Sequence, residues 1–373
     1  MKQNIAKDEE TNAIKIHGDI LEAIISCVPL IHLLPAYHVS QDWRCAVTSS
    51  LKNSCRVKPW LIAHIQNSRN FSLLVRCVFD HESLVWTEVP CVNEPFTCVP
   101  IRSSGSNLLY MLTPSKFSFS LDPLLKAKWH HVQGPKVSRL DPVVAVIGSC
   151  ILIAGGIYDF EDDPLAVEVY DNKSQQWEIC QSMPNFYKDS ASTTWLSVAV
   201  SDKKMFLLEK SSGTFCTFDP EMKLWGDTFA LKPNGSIFFS LIGFSNNRLL
   251  LIGLIGNTEN VESLKIWEVN CDTFICNEVG EMPSKMLEKF IDSCSSPSSI
   301  NISMAEDMIY IYNSENPKVI IHCEISKCSS CYWGTIQNSI VNDQNEMHRF
   351  TFTCSRVGIN DLQKAFGLLG TRF

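Results

Sequence analysis

A single interval recurs along the middle of this chain. Asp80-x5-Trp86, Asp171-x5-Trp177 and Asp219-x5-Trp225 share it, and Asp122-x6-Trp129 is one residue longer. Successive tryptophans lie roughly 45 residues apart, the length of one four-stranded unit in a radial repeat. A large side chain precedes each aspartate: Phe79, Leu121, Tyr170, Phe218. Each unit reads as a strand ending at Asp, a tight turn held by the Asp side chain, and a strand opening with Trp. The tryptophan is expected to cover the junction with the next unit. A weaker fifth unit carries Ile266-Trp267-Glu268-Val269, and a sixth ends at Trp333.

The best-preserved unit predicts strands over Val143–Ile147, Ile151–Ala154, Leu165–Asp171 and Gln176–Met183. Gly155-Gly156 lets the chain turn where a side chain would clash near the hub. The first unit, residues 60–90, offers only three strand-like runs, so its innermost strand must come from elsewhere. The alternating run Arg349-Phe350-Thr351-Phe352-Thr353-Cys354 is expected to fill that place and close a ring of six blades, which removes exposed sheet edges. The all-β section therefore spans 58–373, with its closing strand near 348–357.

Ahead of it the texture is helical. Residues 1–14 are polar and aperiodic and read as a flexible tail. Over 15–57, Asp19 is placed to cap a helix carrying Leu21, Ile24, Ile25 and Val28 at helical spacing, and Pro29 breaks it. A short segment with Leu33 and Leu34 runs into Pro35, and a third helix begins near Val39-Ser40 and carries Trp43 and Val47. So small a unit cannot bury all its large apolar residues internally, which predicts that some face a partner.

Function classes narrow by exclusion. Hydrophobic residues make up 45% of the 373 and charged residues 19%, with net charge −8. That suits a large apolar core and argues against non-specific nucleic-acid binding, which rests on clustered positive charge. No apolar run approaches the roughly 20 residues that span a bilayer, and no secretory signal is visible, so cytoplasm or nucleus is expected. There the 16 cysteines stay reduced. Cys328-x2-Cys331 has metal-ligand spacing but lacks a second pair at a usual distance, so neither metal nor cofactor is expected. The nine histidines are scattered, and no Gly-x-Ser-x-Gly, Walker A or Gly-x-Gly-x-x-Gly motif is present, which points away from an enzyme.

Gly155-Gly156, Tyr170 and Trp177 resemble the hallmark of a kelch repeat. Leu21, Ile24-Ile25, Val28-Pro29, Leu33-Leu34, Val39-Ser40 and Trp43-Arg44 resemble the apolar ladder of an F-box, with Ile16-His17 where that motif opens on Leu-Pro. In that order the chain resembles a plant F-box/kelch-repeat protein. The resemblance implies a mainly β fold, a six-bladed kelch β-propeller preceded by a small three-helix F-box at 15–57. It further implies a substrate-recognition subunit of an SCF (cullin-RING) ubiquitin ligase. The F-box residues Leu21, Ile24, Ile25, Val28, Pro29, Leu33, Leu34, Val39 and Trp43 would dock on a Skp-type adaptor. The propeller would capture a target protein for ubiquitination and proteasomal degradation. Some plant members direct turnover of phenylpropanoid and flavonoid enzymes, which makes such an enzyme the implied target. The competing reading is a kelch scaffold without ligase recruitment.

Loop lengths place the target. The connections Asp159–Pro164, Asn185–Thr194, Gly256–Glu262 and Ser284–Ser299 are long and share one face of a propeller. Long loops in compact domains are more often functional. Phe160, Asp162, Asp163, Phe186 and Tyr187 are thus the candidate target surface, with the two aspartates steering a basic partner.

Overall fold

The computed structural model describes residues 16–53, 58–90, 99–104, 108–122, 124, 129–157, 162–294, 296–326, 330–341 and 348–367. They fall into two compact units, divided between Val57 and Lys58.

The first unit holds helices α1 (Asp19–Ile25), α2 (Leu30–Ala36) and α3 (Gln41–Asn53). Gly18, not Asp19, occupies the cap position of α1, and Asp19 is its first helical residue. Pro29 is the cap residue of α2, where a missing N–H breaks no helical bond. Ser40 caps α3 by accepting the Trp43 N–H at 3.3 Å. The Ser49 hydroxyl donates to Glu22 at 2.8 Å and ties α3 to α1.

The second unit is a propeller of six antiparallel sheets. Five blades take their strands in chain order from the hub outward, and the fourth adds a short fifth strand, Phe229–Ala230. Blade 1 differs. Its innermost strand is His348–Ser355, paired with Trp60–Asn67 along its whole length, from Trp60 opposite Ser355 to Asn67 opposite His348. That strand lies between the innermost strands of blade 6, Ile300–Ala305, and blade 2, Arg102–Ser104.

Apolar clusters fill the junctions between successive blades. Ile252 and Leu264 of blade 5 meet Ile309, Ile311 and Ile321 of blade 6 in one of them. Both faces of a blade are therefore buried, and the strand Arg248–Gly256 carries the unbroken run Leu249-Leu250-Leu251-Ile252 instead of alternating.

The repeated aspartates build the outer hairpin turns. Asp171 accepts the Lys173 N–H at 3.0 Å, and Asp219 accepts those of Glu221 and Met222 at 2.9 and 3.0 Å. Asn270 does the same work in blade 5 for Asp272 and Thr273. The residue opening that outer strand is Cys276, so Trp267 belongs to the strand before the turn. The indoles reach back to the preceding blade in the ring, not on to the next. Trp177 donates to Gln133 O at 2.7 Å, Trp225 to Gln181 O at 3.1 Å, and Trp86 to Gln337 O at 3.4 Å. Each thus pins its blade to the preceding one, and Trp86 pins the first to the sixth.

Gly155 and Gly156 have φ of +62° and +63°. A Cβ on Gly155 would stand 2.3 Å from the Ala191 carbonyl oxygen. Left-handed strain and this backbone clash together should make Gly155→Ala cost about 3 kcal/mol. Urea unfolding of the variant checks this, with an unchanged midpoint as the contrary result.

Candidate functional site

The innermost strands enclose a channel of about 760 Å³. Where an innermost strand begins and its neighbour ends, the side chains converge on one end of that channel. Arg102 opens its strand, Asp141 and Thr193-Thr194 precede theirs, Lys210 follows Met205–Glu209, and Arg349 is second in the closing strand. These six residues come from blades 1 to 4 and meet only because the ring closes.

Asp141 organises the group. Arg102 Nη1 donates to its Oδ1 at 2.5 Å, the Thr193 hydroxyl to the same oxygen at 2.6 Å, and the Thr194 hydroxyl to Oδ2 at 3.0 Å. Burial pushes the Asp141 carboxyl up, but the Thr193 bond, Arg102 and Thr194 outweigh it and hold the acid below its ordinary range. Lys210 is buried and donates to the carbonyls of Thr193 and Thr194 at 3.0 and 2.9 Å. Burial pulls its ammonium down to about 8 against the pull of Asp141 and Glu209.

The loops at this end carry the predicted target residues with mixed outcome. Phe160 lies outside the described residues. Asp162 and Asp163 are exposed. Asp163 also fixes its own loop, accepting the Leu165 N–H at 3.0 Å and the Ser182 hydroxyl at 2.5 Å. Phe186 is 58% exposed. Tyr187 is a correction: it is fully buried, and its hydroxyl donates to the Thr214 carbonyl at 3.3 Å. The short 3-10 turn Asn185–Tyr187 turns adjacent residues to opposite sides, so one aromatic anchors the loop and the other faces solvent. Leu140 and Trp195 are exposed on neighbouring segments, joined by bonds from Leu140 N to Gly156 O and from Gly156 N to Ala191 O. The predicted connection 256–262 is a tight hairpin, since strands run to Gly256 and from Val261. Within 284–299, Ser284–Ile291 forms helix α4, which buries Leu287 and Phe290.

Beneath this surface lies an ion pair that sequence reasoning missed. Arg139 Nη2 and Glu168 Oε2 are 3.0 Å apart, and both side chains are wholly buried. Arg139 also donates to the carbonyls of Gly155 and Ala166, and Glu168 accepts the Lys136 N–H at 2.7 Å. A charged residue, Glu168, between two valines of the strand Val167–Asp171 was the visible signal. The mouth residues Arg102, Asp141, Lys210 and Arg349 carried no such signal, because nothing local distinguishes them from surface residues.

In the helical unit the predicted ladder divides. Leu21, Ile25, Leu33 and Leu34 are buried and form the core with Leu30, Ala46 and Val47. This corrects their reading as partner-facing residues: the core of so small a unit takes the residues pointing between its helices. Val28, Pro29 and Trp43 are half-buried. Ile24 and Val39 are exposed by 47% and 62%, and Ile20, one turn before Ile24 on α1, by 67%. Cys328 of the Cys328-x2-Cys331 pair lies outside the described residues.

The described residues form a six-bladed repeat propeller preceded in the chain by a three-helix unit. Residues 138–184, which span blade 3 and its Gly pair, match the Kelch motif. Over 365 residues the chain is 40% identical to an F-box/kelch-repeat protein of Arabidopsis thaliana, covering 94% of this chain and 92% of that one. The chain belongs to the F-box/kelch-repeat family.

Proposed function

We propose that this protein is the substrate-recognition subunit of an SCF-type ubiquitin ligase. Its helical unit docks on a Skp-type adaptor that joins it to a cullin. Its propeller holds a target protein for ubiquitination and degradation. The observation that carries this reading is the pair Ile20 and Ile24 on one side of α1, with Val39 ahead of α3, exposed on a unit whose own core is already filled. Exposed large apolar residues on so small a unit favour a protein partner. The chain itself supplies no transfer chemistry in this role. It raises the effective concentration of target lysines near the charged carrier enzyme.

The target surface in this reading is the end of the propeller bearing Leu140, Phe186 and Trp195, with Asp162 and Asp163 at its rim. Aromatic side chains are the usual anchors of protein interfaces.

Co-purification with a Skp-type protein tests the reading. Ile20→Glu with Ile24→Glu should weaken that association by about 2–4 kcal/mol, roughly 30- to 1,000-fold, with helical content unchanged. Leu33→Ala, by contrast, should destabilise the helical unit itself. If the parent chain captures no Skp-type protein under conditions where other F-box proteins do, a kelch scaffold without ligase recruitment is the better account.

A further inference from the structure

Among the cations lining the channel, Arg349 stands apart. Arg102 is engaged by Asp141, Arg356 by Glu306 at 3.3 Å, and Lys210 by two backbone carbonyls. The Arg349 side chain makes no hydrogen bond or ion pair among the described residues, yet it is accessible from the channel. We propose that this end of the channel is a carboxylate-binding site, with Arg349 as the ionic partner of the ligand and the Arg102–Asp141 pair as its fixed wall.

Electrostatics agree with the geometry. Partial burial, then the neighbouring Arg102 guanidinium, pull the Arg349 pKa below its ordinary value, while Tyr110 and Asp141 act the other way. A positive charge held beside another is a charge that an anion would relieve. The ligand's charge follows from the neighbours. Arg102 is offset by Asp141 and Lys210 by Glu209, which leaves one net positive charge, that of Arg349. A monoanionic head group matches it, and a phosphate dianion would meet the Asp141 carboxylate. The planar guanidinium fork fits a carboxylate through two parallel bonds.

The carboxylate can belong to a free organic acid or to an acidic side chain of a bound polypeptide. The site does not depend on ligase recruitment, so its test uses the purified full-length protein alone. Succinate and a hexaglutamate peptide serve as probes in titration calorimetry, against chloride at equal ionic strength and against inorganic phosphate. At least one carboxylate probe should bind with unit stoichiometry. Arg349→Met should weaken that binding at least tenfold, and Arg349→Lys, which keeps the charge without the fork, should weaken it less. Lys173→Met, in a turn at the other end of the propeller, should leave it unchanged. Binding of succinate assigns the site to a free acid, and binding of the peptide alone assigns it to an acidic chain. The proposal fails if neither probe binds beyond chloride, if phosphate binds more tightly than both, or if both Arg349 variants bind as the parent does. Thermal melts without ligand separate lost binding from lost folding.

Discussion

Removal of residues 342–373 should abolish cooperative folding of the propeller. The closing strand His348–Ser355 supplies the whole inner edge of blade 1. It buries Phe350, Phe352 and Cys354, and the Phe352 ring lies 4.5 Å from that of Tyr312 in blade 6. Each buried phenylalanine is worth about 2–3 kcal/mol, and the opened ring exposes two unpaired strand edges besides. Losses of that size approach the roughly 5–15 kcal/mol by which folded domains are stable. Circular dichroism should show no sharp melting transition for the truncated chain. A melt superimposable on the parent's would falsify closure through this strand. Phe352→Ala is the milder form of the same test and should cost about 3–5 kcal/mol.

The second large effect concerns the buried pair in blade 3. Replacing Glu168 by leucine should destabilise the propeller by about 3–5 kcal/mol, because it strands a guanidinium with no counter-charge in contact. The carbonyls of Gly155 and Ala166 would still accept from Arg139, but dipoles offset only part of that cost. Arg139→Met alone should cost a similar amount, since it leaves the Glu168 carboxylate buried with only backbone N–H donors. The double variant should cost clearly less than the sum of the two. Denaturant unfolding of all four proteins measures the coupling. Strict additivity would show that the pair acts as two independent packing residues.

The pair also bears on the acidic loop. Burial pulls the Arg139 pKa down, and Asp162 and Asp163 act the other way after Glu168, so part of their negative charge serves the blade's own interior. Charge reversal there therefore tests target capture cleanly only alongside a stability measurement.

The sequence by itself determined the repeat, the turn chemistry and the ring. Asp-x5-Trp encodes a hairpin whose side-chain bonds span two or three residues, so each unit is specified locally. A period of about 45 residues with four strand-like runs leaves a propeller as the economical way to bury both faces of every sheet. The helical spacing of residues 19–51 announced a compact helical unit in the same way. What only the tertiary structure decided depends on contacts between distant residues. Leu33 and Val39 are equally apolar in the sequence, and helix packing alone places one in a core and the other in solvent. Phe186 and Tyr187 are adjacent aromatics parted by a single turn. Trp267 fits the spacing loosely but lies before its turn, because Asn270 and Cys276 hold the repeat's two places. Arg102, Asp141, Lys210 and Arg349 carry no local pattern at all. They become one site because pairing Trp60–Asn67 with His348–Ser355 closes the ring and turns the first residues of separate inner strands toward a common axis.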